Sequence, residues 1–339
     1  MLRTLIIGGT RNLGPDLVRA LLARGDEVTV LNRGLTADDL ASPVMRLHAD
    51  RSNEAALRAA LGSRSFDLVV DTTLYNGKDA QAVTRILAGR VQKYVFWSTG
   101  QVYLVRTGLK PPFSEQDYDG AVMDSPDANR TDDADNWRYG VDKRAAEEVF
   151  RAALQHSGFP FVSLRMPMIH SRRDHHQRLP AYVHRILDGG PILIPDDAAP
   201  LPLRHVSGGD VIAATLAASS VSLPAGACLN VSQDASLSLA AFLAIVADQL
   251  GRPAPTVALP RAALESRGLL PGCSPCSGRW MSILDNGAAR RILGMRFAAP
   301  SDYLPPLIEA AVRLPASSII GYSKRAEELR LAQTARAGG

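Results

Sequence analysis

Cysteine and long apolar runs are both scarce in this chain of 339 residues. Only three cysteines occur, which is typical of a protein that folds without disulfides in a reducing compartment. No apolar run approaches the roughly 18 residues that a membrane helix needs, so no membrane partner is expected. The first apolar stretch is too short for a signal peptide and runs directly into a glycine turn, which predicts a cytoplasmic protein.

Lysine is scarce as well: the chain carries five lysines against 33 arginines, and its net charge is +4. The arginines are scattered rather than massed, so no nucleic-acid partner is expected from charge. A chain of this length can bury a substantial core. It allows two domains or one large domain with an appendage.

The first 165 residues alternate apolar strands with amphipathic helices, which predicts an α/β fold with a parallel sheet covered on both faces. Strands are predicted over 3-7, 27-32, 43-48, 66-71, 93-98 and 160-165, and helices over 12-24, 53-61, 79-89 and 137-156. Six strands in this rhythm indicate the doubly wound (Rossmann) order, which binds ligands at the carboxyl ends of its strands.

The alternation of strands and helices is interrupted once and becomes less regular after about residue 166. Residues 105-136 are polar, acidic and rich in turn formers, which predicts a long, lid-like loop. Later helices are predicted near 177-188, 208-219, 237-250, 285-293 and 302-313, and short strands near 191-194, 201-206 and 226-231. We therefore predict a dinucleotide-binding core over 1-165, a smaller, mainly C-terminal substrate-binding region over 166-315, and a tail over 316-339 that ends in a helix.

The turn GGTRNLG at 8-14 follows the first strand directly. Gly8 stands where the strand must bend and Gly14 where the helix must pack closely on the sheet, whereas Arg11 replaces the middle glycine of the dinucleotide fingerprint. The N-terminus of the following helix suits a pyrophosphate, since it presents free N–H groups and a positive dipole end. The alternative is a turn that uses its glycines only for geometry.

The end of the second strand distinguishes NADP from NAD. An NAD site usually has an acidic residue there, whereas this chain has Asn32 and Arg33. Because a guanidinium attracts a 2'-phosphate, we predict NADP in preference to NAD, with Arg11 as a second cation; the alternative is that Arg33 is a solvated turn residue. Asp50, after the third strand, is placed either to accept a hydrogen bond from the adenine amino group or to cap the next helix.

Tyr139 and Lys143 stand four residues apart at the head of a predicted helix, so their side chains share one face. A lysine ammonium beside a phenol lowers the pKa of the phenol and helps it exchange a proton with an alcohol or carbonyl. Ser98 and Thr99 end the fifth strand, where a hydroxyl can hold a substrate oxygen next to Tyr139.

In this order, the motifs resemble those of the extended or atypical short-chain dehydrogenase/reductases, also called the NAD-dependent epimerase/dehydratase family. The resemblance covers about residues 1-315 and rests on GGTRNLG, Asp50, STGQVY at 98-103, YGVDK at 139-143 and RHVSGGDV at 204-211. It implies that Tyr139 is the catalytic acid/base, that Lys143 binds the nicotinamide ribose and tunes Tyr139, and that Thr99 is the catalytic hydroxyl residue.

The resemblance also implies a cofactor-binding set. It includes Thr72 after the fourth strand and Met166 at the nicotinamide end. The full set is Gly8, Thr10, Arg11, Asn12, Leu13, Gly14, Asn32, Arg33, Asp50, Thr72, Ser98, Tyr139, Lys143 and Met166. Family members often form homodimers through the Tyr-Lys helix, and the apolar residues at 137-156 allow a homodimer here.

These residues predict an NADP-dependent oxidoreductase that transfers a hydride between the nicotinamide and a carbonyl or alcohol carbon of a small-molecule substrate. One alternative is a sugar-nucleotide epimerase or dehydratase with tightly bound NAD(P), although Leu201 replaces an arginine that such enzymes use for a diphosphate. The other is a non-catalytic RNA-binding or cofactor-sensing relative, because the chloroplast stem-loop-binding proteins share a similar glycine loop.

No metal site is expected. Cys273 and Cys276 have metal-ligand spacing, but no second pair accompanies them. His170, His175 and His176 lie in an arginine-rich stretch that we interpret as substrate contacts or a polar loop.

Overall fold

We describe a computed structural model, which covers residues 1–40, 43–127, 131–198 and 202–337. In chain order its strands are β1 (Arg3–Ile7), β2 (Glu27–Asn32), β3 (Met45–His48), β4 (Phe66–Asp71), β5 (Val91–Thr99), β6 (Phe161–Met166), β7 (Ile169–His170), β8 (Ile192–Pro195), β9 (Val206–Ser207), β10 (Ala227–Asn230) and β11 (Thr256–Leu259). Its α-helices are α1 (Gly14–Ala23), α2 (Glu54–Leu61), α3 (Gly77–Leu87), α4 (Gln101–Leu104), α5 (Thr131–Ser157), α6 (Arg178–Leu187), α7 (Gly208–Ser220), α8 (Leu239–Leu250), α9 (Arg261–Glu265), α10 (Gly287–Leu293), α11 (Pro300–Val312) and α12 (Arg325–Ala337).

The chain forms two compact units, each assembled from three segments. The first unit comprises Met1–Pro167, Gly208–Ser232 and Leu284–Arg296. The second comprises Met168–Ser207, Gln233–Ile283 and Phe297–Gly339. The functional division into a cofactor region and a substrate region stays a prediction.

The first unit contains a seven-stranded sheet in the order β10-β6-β5-β4-β1-β2-β3. All of its neighbouring strands run parallel, which confirms the doubly wound α/β class. The sequence predicted six strands in this sheet, and the seventh is β10, whose Leu229 pairs with Leu164 of β6. The predicted strand at 226-231 was thus real, but local periodicity cannot tell which sheet a short strand joins.

Buried apolar residues on both faces hold this sheet between helices. Leu5, Val69 and Phe96 are fully buried in one cluster with residues of α3 and α5. Phe150 of α5 stacks on Phe161 of β6, with ring centroids 5.4 Å apart. Each such side chain contributes on the order of 1.5–3 kcal/mol when fully buried, so the sheet is a rigid support for the loops at its edge.

Helices α1 and α5 begin away from the residues that the sequence pattern predicted, each for a physical reason. Helix α1 begins at Gly14 rather than at residue 12, because Asn12 has a left-handed φ of +50° that a helix cannot contain. Helix α5 begins at Thr131 rather than at residue 137. Its first turn holds Asp132 and Asp133, whose charges favour a helix N-terminus, so the end of the expected 105-136 loop is helical.

The remaining part of that insertion is anchored to the first unit by aromatic side chains. Phe113 and Tyr118 are buried in a cluster with residues of α4. The guanidinium carbons of Arg144 and Arg151, both on α5, lie 4.0 Å and 4.2 Å from the Tyr118 ring centroid. A lid function of this segment stays a prediction.

The second unit has its own core and two small sheets. β8 pairs with β11 and β7 with β9, so the predicted strand at 201-206 is reduced to Val206–Ser207, while Leu201 lies outside the described residues. Arg185 donates to both carboxylate oxygens of Glu328, at 2.9 Å and 2.5 Å, which attaches the terminal helix α12 to α6. Across the described ranges, no helix is both long and apolar enough to cross a membrane.

Candidate active site

The residues predicted for the site lie in the first unit, at the carboxyl ends of parallel strands. Ile7 at the end of β1 pairs with Leu31 of β2 and with Asp71 of β4. Thr99 at the end of β5 pairs with Met166 of β6. The residues that follow these strands therefore share one edge of the sheet, where doubly wound folds bind their ligands.

The glycine loop is too tight to accept side chains at its two fingerprint glycines. Gly8 has a φ of +106°, and a Cβ atom there would lie 2.3 Å from Oγ1 of Thr72. A Cβ atom on Gly14 would lie 2.4 Å from the backbone carbon of Gly9. Leu13 is the N-cap residue of α1, and its side chain makes no capping hydrogen bond. A helix N-terminus with no polar side chain at its N-cap position, behind a tight glycine loop, fits a pyrophosphate.

Thr72 joins the end of β4 to this loop. Its backbone N–H and its hydroxyl both donate to the carbonyl oxygen of Ile7, at 3.0 Å and 3.1 Å. Thr10 and Asn12 are half-buried in the loop, whereas the side chain of Arg11 is exposed. Thr72 thus fixes the start of the glycine loop at Ile7. The side chain of Arg11 stays accessible to a ligand.

A short turn presents Arg33 at the end of β2. The side-chain oxygen of Asn32 accepts a hydrogen bond of 2.7 Å from the backbone N–H of Gly34, and Arg33 between them is exposed. Asn32 pairs with His48 at the end of β3. The guanidinium thus lies at the sheet edge, where no carboxylate occupies the end of β2.

Asp50 follows β3 and is exposed beside this turn. Its Oδ1 accepts from the backbone N–H and the hydroxyl of Ser52, at 2.9 Å and 2.7 Å. These hydrogen bonds, together with the charge of Arg33, lower the pKa of Asp50. The alternative that Asp50 caps the next helix is wrong, because Asn53 caps α2 by accepting from the N–H of Ala56 at 3.1 Å.

Lys143 is buried at the ends of β4 and β5, with 3% of its surface exposed. Its Nζ donates to the carbonyl oxygens of Leu74 at 2.7 Å and of Trp97 at 2.8 Å. The Tyr139 ring centroid lies 5.8 Å from the same nitrogen. Burial lowers the pKa of Lys143 to about 7, so this amine loses its proton far more readily than a lysine in water. The structure thus brings the Tyr-Lys pair to the predicted edge of the sheet.

The two hydroxyl residues at the end of β5 have different surroundings. The Ser98 hydroxyl donates to Oε1 of Glu147 at 2.6 Å, inside the core. Thr99 is also buried, and its Oγ1 accepts from the N–H of Gln101 at 3.3 Å. Since successive side chains of a strand point to opposite faces, Thr99 and Ser98 face different ways. A contact from Ser98 to a cofactor would therefore use its backbone.

The Glu147–Arg165 pair supports the site, and the sequence reasoning missed it. Arg165 donates to Glu147 through Nε at 3.1 Å and through Nη2 at 2.5 Å, with both side chains fully buried. Burial alone would raise the pKa of Glu147, but the charge and hydrogen bonds of Arg165 hold it below its usual value. The signal was available, since Glu147 continues the four-residue spacing of Tyr139 and Lys143.

Arg51 and Tyr75 were missed as well. Nη1 of Arg51 donates to both oxygens of Asp71, at 2.7 Å and 2.9 Å, and ties the loop after β3 to the end of β4. The Tyr75 ring centroid lies 6.3 Å from that of Tyr139. Both residues lie in loops, where periodicity gives no signal.

The residues that invited a metal interpretation lie in the second unit. Cys273 and Cys276 are buried thiols, and burial raises the pKa of each to about 12. Nε2 of His170 lies 2.8 Å from Nδ1 of His205, while His175 and His176 are exposed. Among the residues that the structure describes, no group of three or more His, Cys, Asp or Glu is arranged to hold a metal ion.

Two curated relatives match parts of the sequence. The chloroplast stem-loop binding protein of 41 kDa b from Arabidopsis thaliana is 26% identical over 220 residues, which cover 60% of this chain and 52% of that protein. The 2'-dehydrokanamycin reductase of Streptomyces kanamyceticus is 30% identical over 152 residues, which cover 45% of this chain and 38% of that protein. The chain thus spans about half or less of the length of these relatives.

Solved structures share the fold at low sequence identity. The UDP-glucose 4-epimerase of Thermotoga maritima, solved with UDP-glucose, has a TM-score of 0.70 at 16% identity and covers 91% of this chain and 98% of its own. DesIV, a dTDP-glucose 4,6-dehydratase of Streptomyces venezuelae solved with NAD, has a TM-score of 0.70 at 20% identity. The match covers 91% of this chain and 96% of DesIV.

The family match covers every residue of the candidate site. The model of the NAD dependent epimerase/dehydratase family matches residues 4–221, which is well over half of the chain. This range includes the glycine loop, the end of β2, the Tyr-Lys pair and the strand ends that carry Thr99 and Met166. The chain therefore belongs to the NAD dependent epimerase/dehydratase family of enzymes.

Proposed function

We propose that the protein is an NADP-dependent oxidoreductase of the short-chain dehydrogenase/reductase type, which interconverts a carbonyl and an alcohol on a small-molecule substrate. The observation that carries the proposal is the buried Lys143 amine beside the Tyr139 ring, held by the backbone carbonyls of Leu74 and Trp97. A tyrosine next to such an amine at the carboxyl edge of a dinucleotide-binding sheet is suited to moving a proton.

The residues present fit a dinucleotide. The glycine loop would hold the pyrophosphate close to its backbone N–H groups. Side chains at Gly8 and Gly14 would clash with Thr72 and with the backbone of the loop itself, so both positions require glycine. Asp50 keeps one carboxylate oxygen for the adenine amino group. Thr10, Asn12, Leu13, Asn32, Thr72, Ser98 and Met166 would line the rest of the cofactor. When bound, the nicotinamide supplies or accepts the hydride.

The preference for NADP rests on charge. Arg33 is exposed at the end of β2, where an NAD site would have a carboxylate, and Arg11 is exposed in the glycine loop. A guanidinium binds the oxygens of a 2'-phosphate in a bidentate manner, whereas the 2'-hydroxyl of NAD offers it no charge. Arg33 and Arg11 would therefore favour NADPH over NADH.

The proton chemistry belongs to Tyr139, Thr99 and Lys143. In the direction of reduction the Tyr139 hydroxyl donates its proton to the substrate oxygen, and in oxidation the phenolate takes it back. The Thr99 hydroxyl donates a hydrogen bond to the same oxygen as negative charge develops on it. Lys143, fixed on Leu74 and Trp97, binds the nicotinamide ribose and tunes the Tyr139 phenol.

Two sequence facts favour a reductase over a sugar-nucleotide epimerase. The relative with 30% identity is named as a reductase, and its match supports the same reaction class here. Leu201 stands where the family resemblance places an arginine that sugar-nucleotide enzymes use for the diphosphate, which disfavours such a substrate. The epimerase and RNA-binding alternatives become outcomes of the tests.

The test of this cofactor assignment is a fluorescence titration of cofactor-stripped protein with NADPH and with NADH. We expect wild type to bind NADPH at least about tenfold more tightly, and Arg33→Ala to remove most of that difference. Arg58→Ala is the matched control, because Arg58 is an exposed arginine of α2 paired with Glu54. Equal affinity for the two cofactors in wild type would contradict the NADP assignment, and an unchanged preference in Arg33→Ala would contradict the role given to Arg33.

A further inference from the structure

Three aromatic rings surround the Lys143 amine. The Nζ atom lies 4.7 Å from the Phe96 ring centroid, 5.0 Å from that of Tyr75 and 5.8 Å from that of Tyr139. Phe96 is fully buried in the core, so it does not form the boundary with solvent. Tyr75 is 52% exposed although Lys143 beneath it is almost completely covered. One side of the Tyr75 ring therefore covers the amine while the rest of the ring meets water.

The carboxylates around Lys143 are already paired with arginines. Asp71 at the end of β4 accepts two hydrogen bonds from Arg51 and a third, of 2.5 Å, from the Tyr94 hydroxyl. Glu147, one turn along α5, is held by Arg165. The charges that act on Lys143 are those of Asp71, Glu147 and Arg51, and the phenols of Tyr75 and Tyr139 face it as well. The charges of Asp71 and Glu147 favour the ammonium, but burial of the amine outweighs them, so the exclusion of water decides its charge.

We infer that Tyr75 is a positioning residue of the candidate site, whose ring closes the Lys143 amine off from solvent. The ring has two opposing effects on the amine. It excludes water, which disfavours the ammonium, and its π-face attracts a cation, which favours it. A desolvated cation–π contact raises the pKa of a lysine by roughly 1.5, whereas burial holds the pKa of Lys143 near 7, far below the ordinary 10.5. Exclusion of water is the larger effect.

A direct titration of Lys143 tests this inference, and the scarcity of lysine makes it practicable. Protein labelled with ¹³C at the lysine Cε gives five signals, from Lys78, Lys93, Lys110, Lys143 and Lys324. The signal that disappears in Lys143→Met identifies the residue. We expect it to titrate near pH 7 in wild type, to move up by about one to two pH units in Tyr75→Ala, and to stay in place in Tyr75→Phe, which keeps the ring. Ile292→Ala removes another exposed apolar side chain and should change nothing.

Three results would overturn the inference: an unchanged Lys143 titration in Tyr75→Ala, an equal change in Tyr75→Phe, or a wild-type signal that titrates near 10.5. The term positioning residue rests on the proposed function, because Lys143 must take part in the reaction. The titration itself needs no cofactor or substrate. If the Lys143 titration depends on Tyr75 but the protein does not prefer NADPH, the proposed function is contradicted. The conclusion that Tyr75 closes Lys143 off from solvent then still stands. In an active reductase Tyr75→Ala should move the alkaline limb of the pH profile of kcat upward, because the ammonium that tunes Tyr139 would then persist to higher pH.

Discussion

Arg165 of β6 donates two hydrogen bonds to the carboxylate of Glu147 on α5, and both side chains are fully buried. Glu147 also accepts from the hydroxyls of Ser98 and Ser163, at 2.6 Å and 3.0 Å. The carboxylate thus fixes the helix that carries Tyr139 and Lys143 against the strands that end at Thr99 and Met166. This pair therefore contributes to the relative placement of the candidate catalytic residues, together with the hydrogen bonds of Lys143 to Leu74 and Trp97.

Removing the charge of Glu147 should be strongly destabilising. Glu147→Gln leaves the Arg165 guanidinium buried without a counter-charge, which typically costs about 3–5 kcal/mol. Urea unfolding measures the loss. Glu54→Gln is the control, since Glu54 pairs with Arg85 on the surface and should lose less than about 1 kcal/mol. Equal losses in the two variants would show that the buried pair does not fix the helix.

The buried amine of Lys143 makes stability depend on pH in a defined direction. Its pKa is about 7 in the folded chain and 10.5 in an ordinary lysine, so between these values the unfolded chain binds a proton that the folded chain lacks. The free energy of unfolding of wild type should therefore rise with pH across this window relative to Lys143→Met, by up to about 1.4 kcal/mol per pH unit.

Urea unfolding of wild type and Lys143→Met at several pH values between 6 and about 10 checks this slope. Lys143→Met also loses the hydrogen bonds to Leu74 and Trp97. This loss lowers the free energy of unfolding by the same amount at every pH, so it does not alter the difference in pH slope between the two proteins. Parallel curves for the two proteins would mean that Lys143 titrates alike in the folded and unfolded chains.

The glycine loop should not tolerate even one methyl group at Gly14. A Cβ atom there would lie 2.4 Å and 2.6 Å from backbone atoms of Gly9, so Gly14→Ala must separate α1 from the loop. We expect a loss of about 1–3 kcal/mol in stability and a drop of more than about tenfold in NADPH affinity. Gly278→Ala is the matched control, because its new Cβ atom would meet nothing nearer than 3.8 Å. NADPH binding that survives in Gly14→Ala would argue against the loop as the pyrophosphate site.

The first six strands of the sheet and the shared helix face of Tyr139 and Lys143 were predictable from sequence because both follow from short-range periodicity. Apolar runs identify strands, and a spacing of four residues places two side chains on one helix face. The partner of Glu147 was not predictable in this way, since Arg165 meets it only through the packing of α5 on the sheet. Tyr75 and Arg51 lie in loops, whose conformation no periodic pattern encodes.

Transfer of the label from 4,4-dideuterated NADPH is the measurement that tests hydride transfer most directly, because either C4 hydrogen that is transferred is then deuterium. Wild type is incubated with a panel of small ketones and aldehydes, and the products are analysed by mass spectrometry. The account predicts one deuterium in each alcohol formed and one NADPH oxidised per product. Tyr139→Phe should lower turnover by at least about 10²-fold while NADPH affinity stays unchanged. Conversion of a substrate without net oxidation of NADPH, or full turnover in Tyr139→Phe, would contradict the account.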